Sequence, residues 1–445
     1  MPTSDDIASL HFRGQDHEFP VITGSEHELG IDITALRKKT GAVTLDYGYL
    51  NTSSCESAIT YLDGEKGILR YRGYPVEDLA AHSRFVEVAY LLINGHMPTP
   101  DERTRWSSLL NEHSMIHEDM RHFFYRFPDR AHPMAILSAM VVSLSAFYPE
   151  LSQHRGDEGE EAINIAATRL LSKLRTIAAF SYKKSIGEPF VYPRHDLSYC
   201  ANFLNMMFYS PVHPYEIDPV VVQALSVLLI LHADHEQNCS TAAVRLVGSA
   251  RVNLYAAVSA GICALWGPLH GGANQMAIEM LEEMMTRGIT PRQRIEQVKN
   301  SRGQELLYGF GHRVYKHYDP RATVIKETCY RVLKALNIQD PLMDLALELE
   351  DLALHDEFFV SRNLYPNVDF YSGIIYRAIG IPKTMFTVMF ALGRLPGWIA
   401  NWKEAHEDPR FKLQRPRQIY VGPTIRHLTP GQCTTEPAHM PLARY

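Results

Sequence analysis

Beyond Pro75, apolar residues recur at helical spacing nearly to the C-terminus. The first sixty residues differ: they are rich in Thr, Ser, Gly and β-branched residues. Ile59, Thr60, Tyr61 and Leu62, then Asp63-Gly64, then Ile68 to Tyr71 predict a strand, a turn and a second strand. Val76-Glu77-Asp78-Leu79 opens a helix directly after a proline, a position proline favours. Apolar residues at helical spacing predict further helices over 253–266, 273–285, 322–336, 342–354 and 384–402. Gly and Pro punctuate them at Gly267-Pro268, Gly288, Pro291, Asp340-Pro341, Tyr365-Pro366 and Ile381-Pro382. The longest apolar stretch, 220–231, is too short to span a bilayer and reads as a buried helix. These elements predict a mainly α fold with a small β-rich N-terminal region over 1–60. The helical body is expected as a large domain (61–280 and 391–445) and a small one (281–390), with a ligand cleft between them.

Bulk properties narrow the function classes. A chain of 445 residues can bury a large core and more than one domain. Its hydrophobic fraction of 46% and charged fraction of 21% are those of an ordinary soluble globular protein. A net charge of -6 gives no support for a nucleic-acid partner. The six cysteines are scattered without a CxxC pair, so they read as reduced thiols and not as a disulfide frame or zinc site. The N-terminus is acidic and has no apolar signal core. The expectation is a cytoplasmic protein without a membrane partner.

Three polar stretches interrupt the helical pattern: PLHGGAN at 268–274, GFGHR at 309–313 and YPNVD at 365–369. Two set a histidine beside glycines, where backbone can approach a ligand closely. His270 lies just ahead of the predicted helix at Ala273, where the positive end of the helix favours a neutral ring able to donate a hydrogen bond to an enolate oxygen. A histidine cap on a tight turn is the competing reading. Around His312, the cations Arg313, Lys316 and Arg321 suit a carboxylate or phosphate, with Arg321 able to grip bidentately. A solvated basic turn is the alternative. Phe370 and Tyr371 could shield Asp369 and raise its pKa towards a useful general base, although Asp is also a favoured helix N-cap. His232 and His235 are expected on one helical face; the segment lacks HExxH and a third ligand, which disfavours a metal. Arg394 and Arg415 are cations at helix ends or in loops, which with Arg321 would suit a substrate carrying several carboxylates.

Taken in order, LHADHEQN, PLHGGAN, GFGHRVYKHYDPRA, LYPNVDFYSG, FALGRLPGWIANW and RPRQIY resemble the citrate synthase family, in its longer bacterial type. The resemblance implies condensation of acetyl-CoA with oxaloacetate to citryl-CoA, then hydrolysis to citrate and CoA, the first step of the tricarboxylic acid cycle. It makes Asp369 the base that deprotonates the acetyl methyl, His270 the enolate stabiliser and His312 the group that polarises the ketone. It assigns His235, Arg321 and Arg394 to oxaloacetate or citrate, and Arg415 to the neighbouring subunit's site. Lys316 and Arg313 are implied as coenzyme A contacts. It implies no metal and no cofactor, acetyl-CoA being a substrate, and a homodimer at minimum, with a trimer of dimers as the larger alternative. Glu112 stands before His113 where NADH-inhibited members carry arginine, so NADH regulation is not expected. Competing readings are a 2-methylcitrate synthase using propionyl-CoA, a metal-dependent hydrolase centred on 232–236, and a non-catalytic helical binding protein.

Overall fold

The computed structural model describes residues 6–149, 160–301, 303–312 and 314–427. The chain divides into two compact units, one formed by Met1–Glu56 with Arg415–Tyr445 and the other by Ser57–Gln414.

In the first unit, β1 (Ile7–Phe12), β2 (Gln15–Thr23) and β3 (Leu29–Ile31) form an antiparallel sheet in that order. Arg13 and Gly14 make the β1–β2 turn, both at positive φ, as a two-residue hairpin requires. A short helix, Leu36–Thr40, buries Leu36 and sets Lys39 over the ring of buried Phe19.

The second unit is helical apart from one small sheet. β4 (Thr60–Asp63) and β5 (Ile68–Tyr71) pair antiparallel, as the alternation over 59–71 predicts, and β6 (Tyr74–Pro75) adds an edge. The hairpin therefore packs with the helices; the sheet of the first unit lies wholly ahead of it. Helices Pro219–Leu231, Leu254–Leu265, Ala273–Arg287, Pro320–Ala335 and Pro341–Leu354 follow the predicted runs closely. Several begin with a polar cap followed by proline: Asp218-Pro219, Thr290-Pro291, Asp319-Pro320 and Asp340-Pro341. The cap side chain satisfies an orphan N–H, and proline has none to leave unpaired.

Helix Phe386–Glu407 runs through the core and is buried along nearly all its length. Pro396 lies inside it and cannot donate to the preceding turn. Next to it, the Gly397 N–H leaves the helix pattern and donates to the Ala233 carbonyl at 3.1 Å. A side chain at Gly397 would collide with that carbonyl and with Asp234 Oδ1 (2.4 and 2.2 Å). The proline and glycine together let the turn after helix Pro219–Leu231 sit directly on the core helix. That close approach overturns one expectation. Residues 232–236 are not helical: the helix ends at Leu231, His232 is its C-cap, and Glu236 takes a positive φ of 52°. His232 and His235 consequently do not share a helical face.

Candidate active site

The 232–238 turn is clamped from inside. The Tyr71 hydroxyl donates to the Asp234 carbonyl, and the Asp234 carboxylate accepts from Thr60 Oγ1 at 2.6 Å. Asn401 donates to the other carboxylate oxygen at 3.4 Å. Burial pushes the Asp234 carboxyl up, opposed by the Arg394 charge and the Thr60 hydroxyl. Within this clamp, His232 Nδ1–H donates to the Leu228 carbonyl and burial lowers its pKa to about 3. His235 is also buried and shares a 3.2 Å hydrogen bond with the Tyr315 hydroxyl. Burial first, and then the charges of Arg321, His312, Arg394 and His270, hold it well below the usual histidine range. Both rings are neutral.

Helix Cys239–Gly248 starts directly after this turn, with Asn238 as N-cap accepting from the Thr241 N–H. Its Ser240 N–H, one of the orphan donors of the first turn, donates to His270 Nε2 at 3.2 Å. A backbone N–H can only donate, so Nε2 holds the lone pair and the ring proton sits on Nδ1. Ser240 Oγ lies 2.8 Å from the same nitrogen and accepts from Trp398 Nε1. A helix N-terminus thus keeps this ring neutral, as the sequence suggests, but it belongs to the helix at Cys239 and not to the one at Ala273. The loop carrying His270 is tight: a Cβ on Gly271 would lie 2.3 Å from the Leu265 carbonyl.

His312 is held by its other nitrogen. Nδ1 accepts from the N–H groups of Val314 and Tyr315 at 3.1 and 3.3 Å, leaving Nε2 to carry the proton. Its ring lies 5.1 Å from that of His235 and 4.8 Å from that of Tyr315. The loop is sewn to the 365–369 segment. Gly311 N–H donates to the Tyr365 carbonyl, Asn367 N–H to the Gly309 carbonyl, and Asn367 Nδ2 to the Gly311 carbonyl. Gly309 permits the contact through its positive φ of 85° and because any Cβ would strike Phe370. These bonds bring together His312 and Asp369, which lie far apart in the chain.

Asp369 is not the cap of its helix. Asn367 caps Val368–Ala378 by accepting the Asp369 N–H, which leaves the Asp369 carboxylate uncommitted. Among the described residues that carboxylate accepts no hydrogen bond. Burial pushes its pKa up to about 6, while Arg321 and Arg394 pull it down and Asp319 pushes it up. A base poised near neutrality results.

Two guanidinium groups complete the cluster. Arg321 is buried, and Asp319 occupies its fork with bonds of 2.9 and 2.8 Å. The bidentate grip foreseen for a substrate carboxylate is therefore already in use on that edge. Arg394, in the core helix, donates Nε–H to the His232 carbonyl at 2.7 Å, and its Nη1 is buried without a hydrogen-bond partner among the described residues. Burial lowers its pKa to about 10, still charged at neutral pH. A buried, unpaired donor is costly, and an anionic ligand oxygen would relieve that cost. Phe390 packs against this group: its ring lies 4.6 Å from that of His232 and 6.3 Å from that of His270, with Arg394 5.0 Å above it.

The sequence implies three further site residues. Lys316 is exposed and paired with Glu65 in the β4–β5 turn. Arg415 is exposed and belongs to the first unit. Arg313 lies outside the described residues. Conversely, Ser240, Tyr315, Asp319 and Asn367 were not singled out, although an Asn or Asp just ahead of a helical run, as at Asn238, Asp319 and Asn367, is a legible cap signal. Among the described residues, no three His, Cys, Asp or Glu side chains group so as to hold a metal ion.

The family profile described as citrate synthase, C-terminal domain, matches residues 48–417. The chain belongs to the citrate synthase family. It is 51% identical to citrate synthase 1 of Mycobacterium tuberculosis over 426 residues, covering 96% of this chain and 98% of the relative. Identity to the citrate synthase of Corynebacterium glutamicum is 48% over 433 residues, with 97% and 98% covered. Among solved structures, the citrate synthase of Pyrobaculum aerophilum superposes with a TM-score of 0.79 at 35% identity, covering 93% of this chain and 97% of that one. That of Thermoplasma acidophilum, in a ternary complex with carboxymethyl coenzyme A and oxaloacetate, gives 0.77 at 31% identity, covering 87% and 98%.

Proposed function

We infer that this citrate synthase family member condenses acetyl-CoA with oxaloacetate and hydrolyses the citryl-CoA formed to citrate and CoA. The observation that carries the reading is the pair of neutral imidazoles pinned by opposite nitrogens beside a carboxyl whose pKa is pushed up to about 6. In this reading Asp369 removes a proton from the acetyl methyl while His270 Nδ1–H donates to the thioester oxygen as it becomes an enolate. The enolate carbon attacks the oxaloacetate ketone, and His312 Nε2–H donates to the ketone oxygen as it gains charge. Arg394 and the free edge of Arg321 bind the carboxylates, with His235 beside them. Water then cleaves the thioester and releases CoA. Imidazoles and guanidinium groups supply the electrostatic stabilisation, with no cofactor in the scheme.

The finer statements rest on particular features. Closure of the small helical region over oxaloacetate would exclude water until condensation is complete. A homodimer is supported by exposed apolar residues: Leu246 on helix Cys239–Gly248, Trp266 at the C-cap of helix Leu254–Leu265, and Leu269 in the loop that carries His270. Arg415 would reach the neighbouring subunit's site in such a dimer, and a trimer of dimers is the larger assembly. Lys316 and Arg313 would meet coenzyme A phosphates once Lys316 leaves Glu65. Glu112, exposed at the end of helix Pro100–Glu112, keeps a negative charge beside His113, so NADH does not inhibit in this reading. No described helix is long and apolar enough to cross a membrane, and a cytoplasmic site of action completes the reading.

The test is steady-state thiol release with oxaloacetate and either acetyl-CoA or propionyl-CoA. Turnover with a strong acetyl-CoA preference is expected. A preference for propionyl-CoA would make it a 2-methylcitrate synthase, and no thiol release with either would overturn the reading.

A further inference from the structure

Glu350, in helix Pro341–Leu354, is 3% exposed, yet the chemistry above makes no use of its carboxylate. Three side chains from other elements converge on it. The Tyr371 hydroxyl donates to Oε2 at 2.6 Å and Lys326 Nζ donates to the same oxygen at 2.5 Å. The Tyr318 hydroxyl donates to Oε1 at 3.2 Å. Burial, reinforced by the carboxylate itself, raises the pKa of both phenols, so they remain protonated donors.

The chain positions of these donors give the cluster its meaning. Tyr371 lies two residues beyond Asp369 on helix Val368–Ala378, a separation that puts the two side chains on nearly opposite faces. Glu350 therefore grips the back of the helix whose front presents the base. Tyr318 immediately precedes Asp319, the carboxylate that occupies the Arg321 fork and accepts the Val368 N–H at 3.3 Å. Lys326 lies on the same helix as Arg321, Pro320–Ala335. One buried carboxylate thus ties the helix of the base to the turn and helix of the anion-binding guanidinium. Apolar packing would serve stability as well, since buried charge is costly unless fully paired. What the acid adds is direction: hydrogen bonds fix separations that a sliding apolar contact does not.

We propose that Glu350 is a positioning residue for the condensation, holding Asp369 and Arg321, and hence the acetyl methyl and the keto diacid, at their working separation. The proposal rests on the citrate-forming reading. A misplacement on the order of 1 Å can cost about a hundredfold in rate, so the effect should be large.

The test uses the full-length enzyme with Glu350→Gln, Tyr371→Phe and Tyr318→Phe beside wild type, normalised to folded protein by circular dichroism. Glu350→Gln is expected to lower kcat about tenfold or more. Tyr371→Phe should lower kcat with the oxaloacetate KM within twofold, and Tyr318→Phe should raise that KM several-fold with a smaller effect on kcat. If Glu350→Gln does not fold, the two phenylalanine variants decide. Wild-type kcat and KM in both of these, with only the melting temperature lowered, would overturn the proposal. So would equal losses in both parameters from both variants. Failure of wild type to release CoA would instead remove the functional reading. Oxaloacetate titration calorimetry would still test the Tyr318 arm, which requires weaker binding in Tyr318→Phe.

Discussion

The region around His270 and the region around His312 each deliver a neutral imidazole, but by opposite nitrogens and from different scaffolds. His270 gives its Nε2 lone pair to the first turn of helix Cys239–Gly248, so a rigid helix end sets the ring and Nδ1–H is the donor. His312 gives its Nδ1 lone pair to two N–H groups of its own glycine-flanked loop, leaving Nε2–H as the donor. The difference teaches that a histidine's residue type fixes neither donor nor direction. The backbone group on the other nitrogen does. The scaffolds differ as well: the first ring is tied to a helix end that the core helix touches through Trp398, while the second sits in a loop bonded to Tyr365 and Asn367.

The largest expected effect removes the base whose reaction both rings assist. Asp369→Asn should lower kcat by about 10²–10⁴-fold in steady-state assays. In the wild type, kcat/KM should fall tenfold per pH unit below about 6, as the carboxylate is protonated. Stability should run the other way. The folded pKa lies above the ordinary 3.8, so the native state holds this proton more tightly than the unfolded chain does. The penalty of the buried carboxylate is absent below about pH 4, grows as pH rises to about 6 and then stays constant. Thermal unfolding should find Asp369→Asn stabilised at pH 7 but not at pH 4.

The opposed nitrogens can be tested with amide mimics. Asn places its amide N–H near the Nδ1 position and Gln near Nε2. At position 270 the Asn variant should retain more activity than the Gln variant, and at 312 the order should reverse. An amide donor on the wrong side should cost about 10²–10³-fold in kcat and the better mimic about tenfold. The same order at both positions would break the comparison.

Smaller still is the anion site between them. Arg394→Gln should raise the oxaloacetate KM about thirtyfold, corresponding to about 2 kcal/mol for a buried charged hydrogen-bonding partner. Least affected should be the surface. Lys316→Ala removes an exposed ion pair with Glu65 and should change unfolding free energy by less than about 1 kcal/mol, while raising the acetyl-CoA KM a few-fold.

Much of the helical architecture was legible because its signals are local. Apolar spacing placed helices Leu254–Leu265, Ala273–Arg287 and Pro341–Leu354 to within about two residues at each end, and the Asp63-Gly64 turn marked the β4–β5 hairpin. The 232–236 segment was misread as helical. Nothing local there announces that Gly397, more than a hundred and fifty residues away, will take the Ala233 carbonyl.

By itself the sequence determined the helical body, the family, and the chemical kit of two imidazoles, one carboxylate and several guanidinium groups, since periodicity, caps and motif identity are written in neighbouring residues. Only the tertiary structure decided which nitrogen of each ring carries the proton, that Asn367 and not Asp369 caps its helix, and that Asp319 already holds one edge of Arg321. Those outcomes depend on donors and acceptors brought into contact by packing between distant segments, and no local pattern records such a contact.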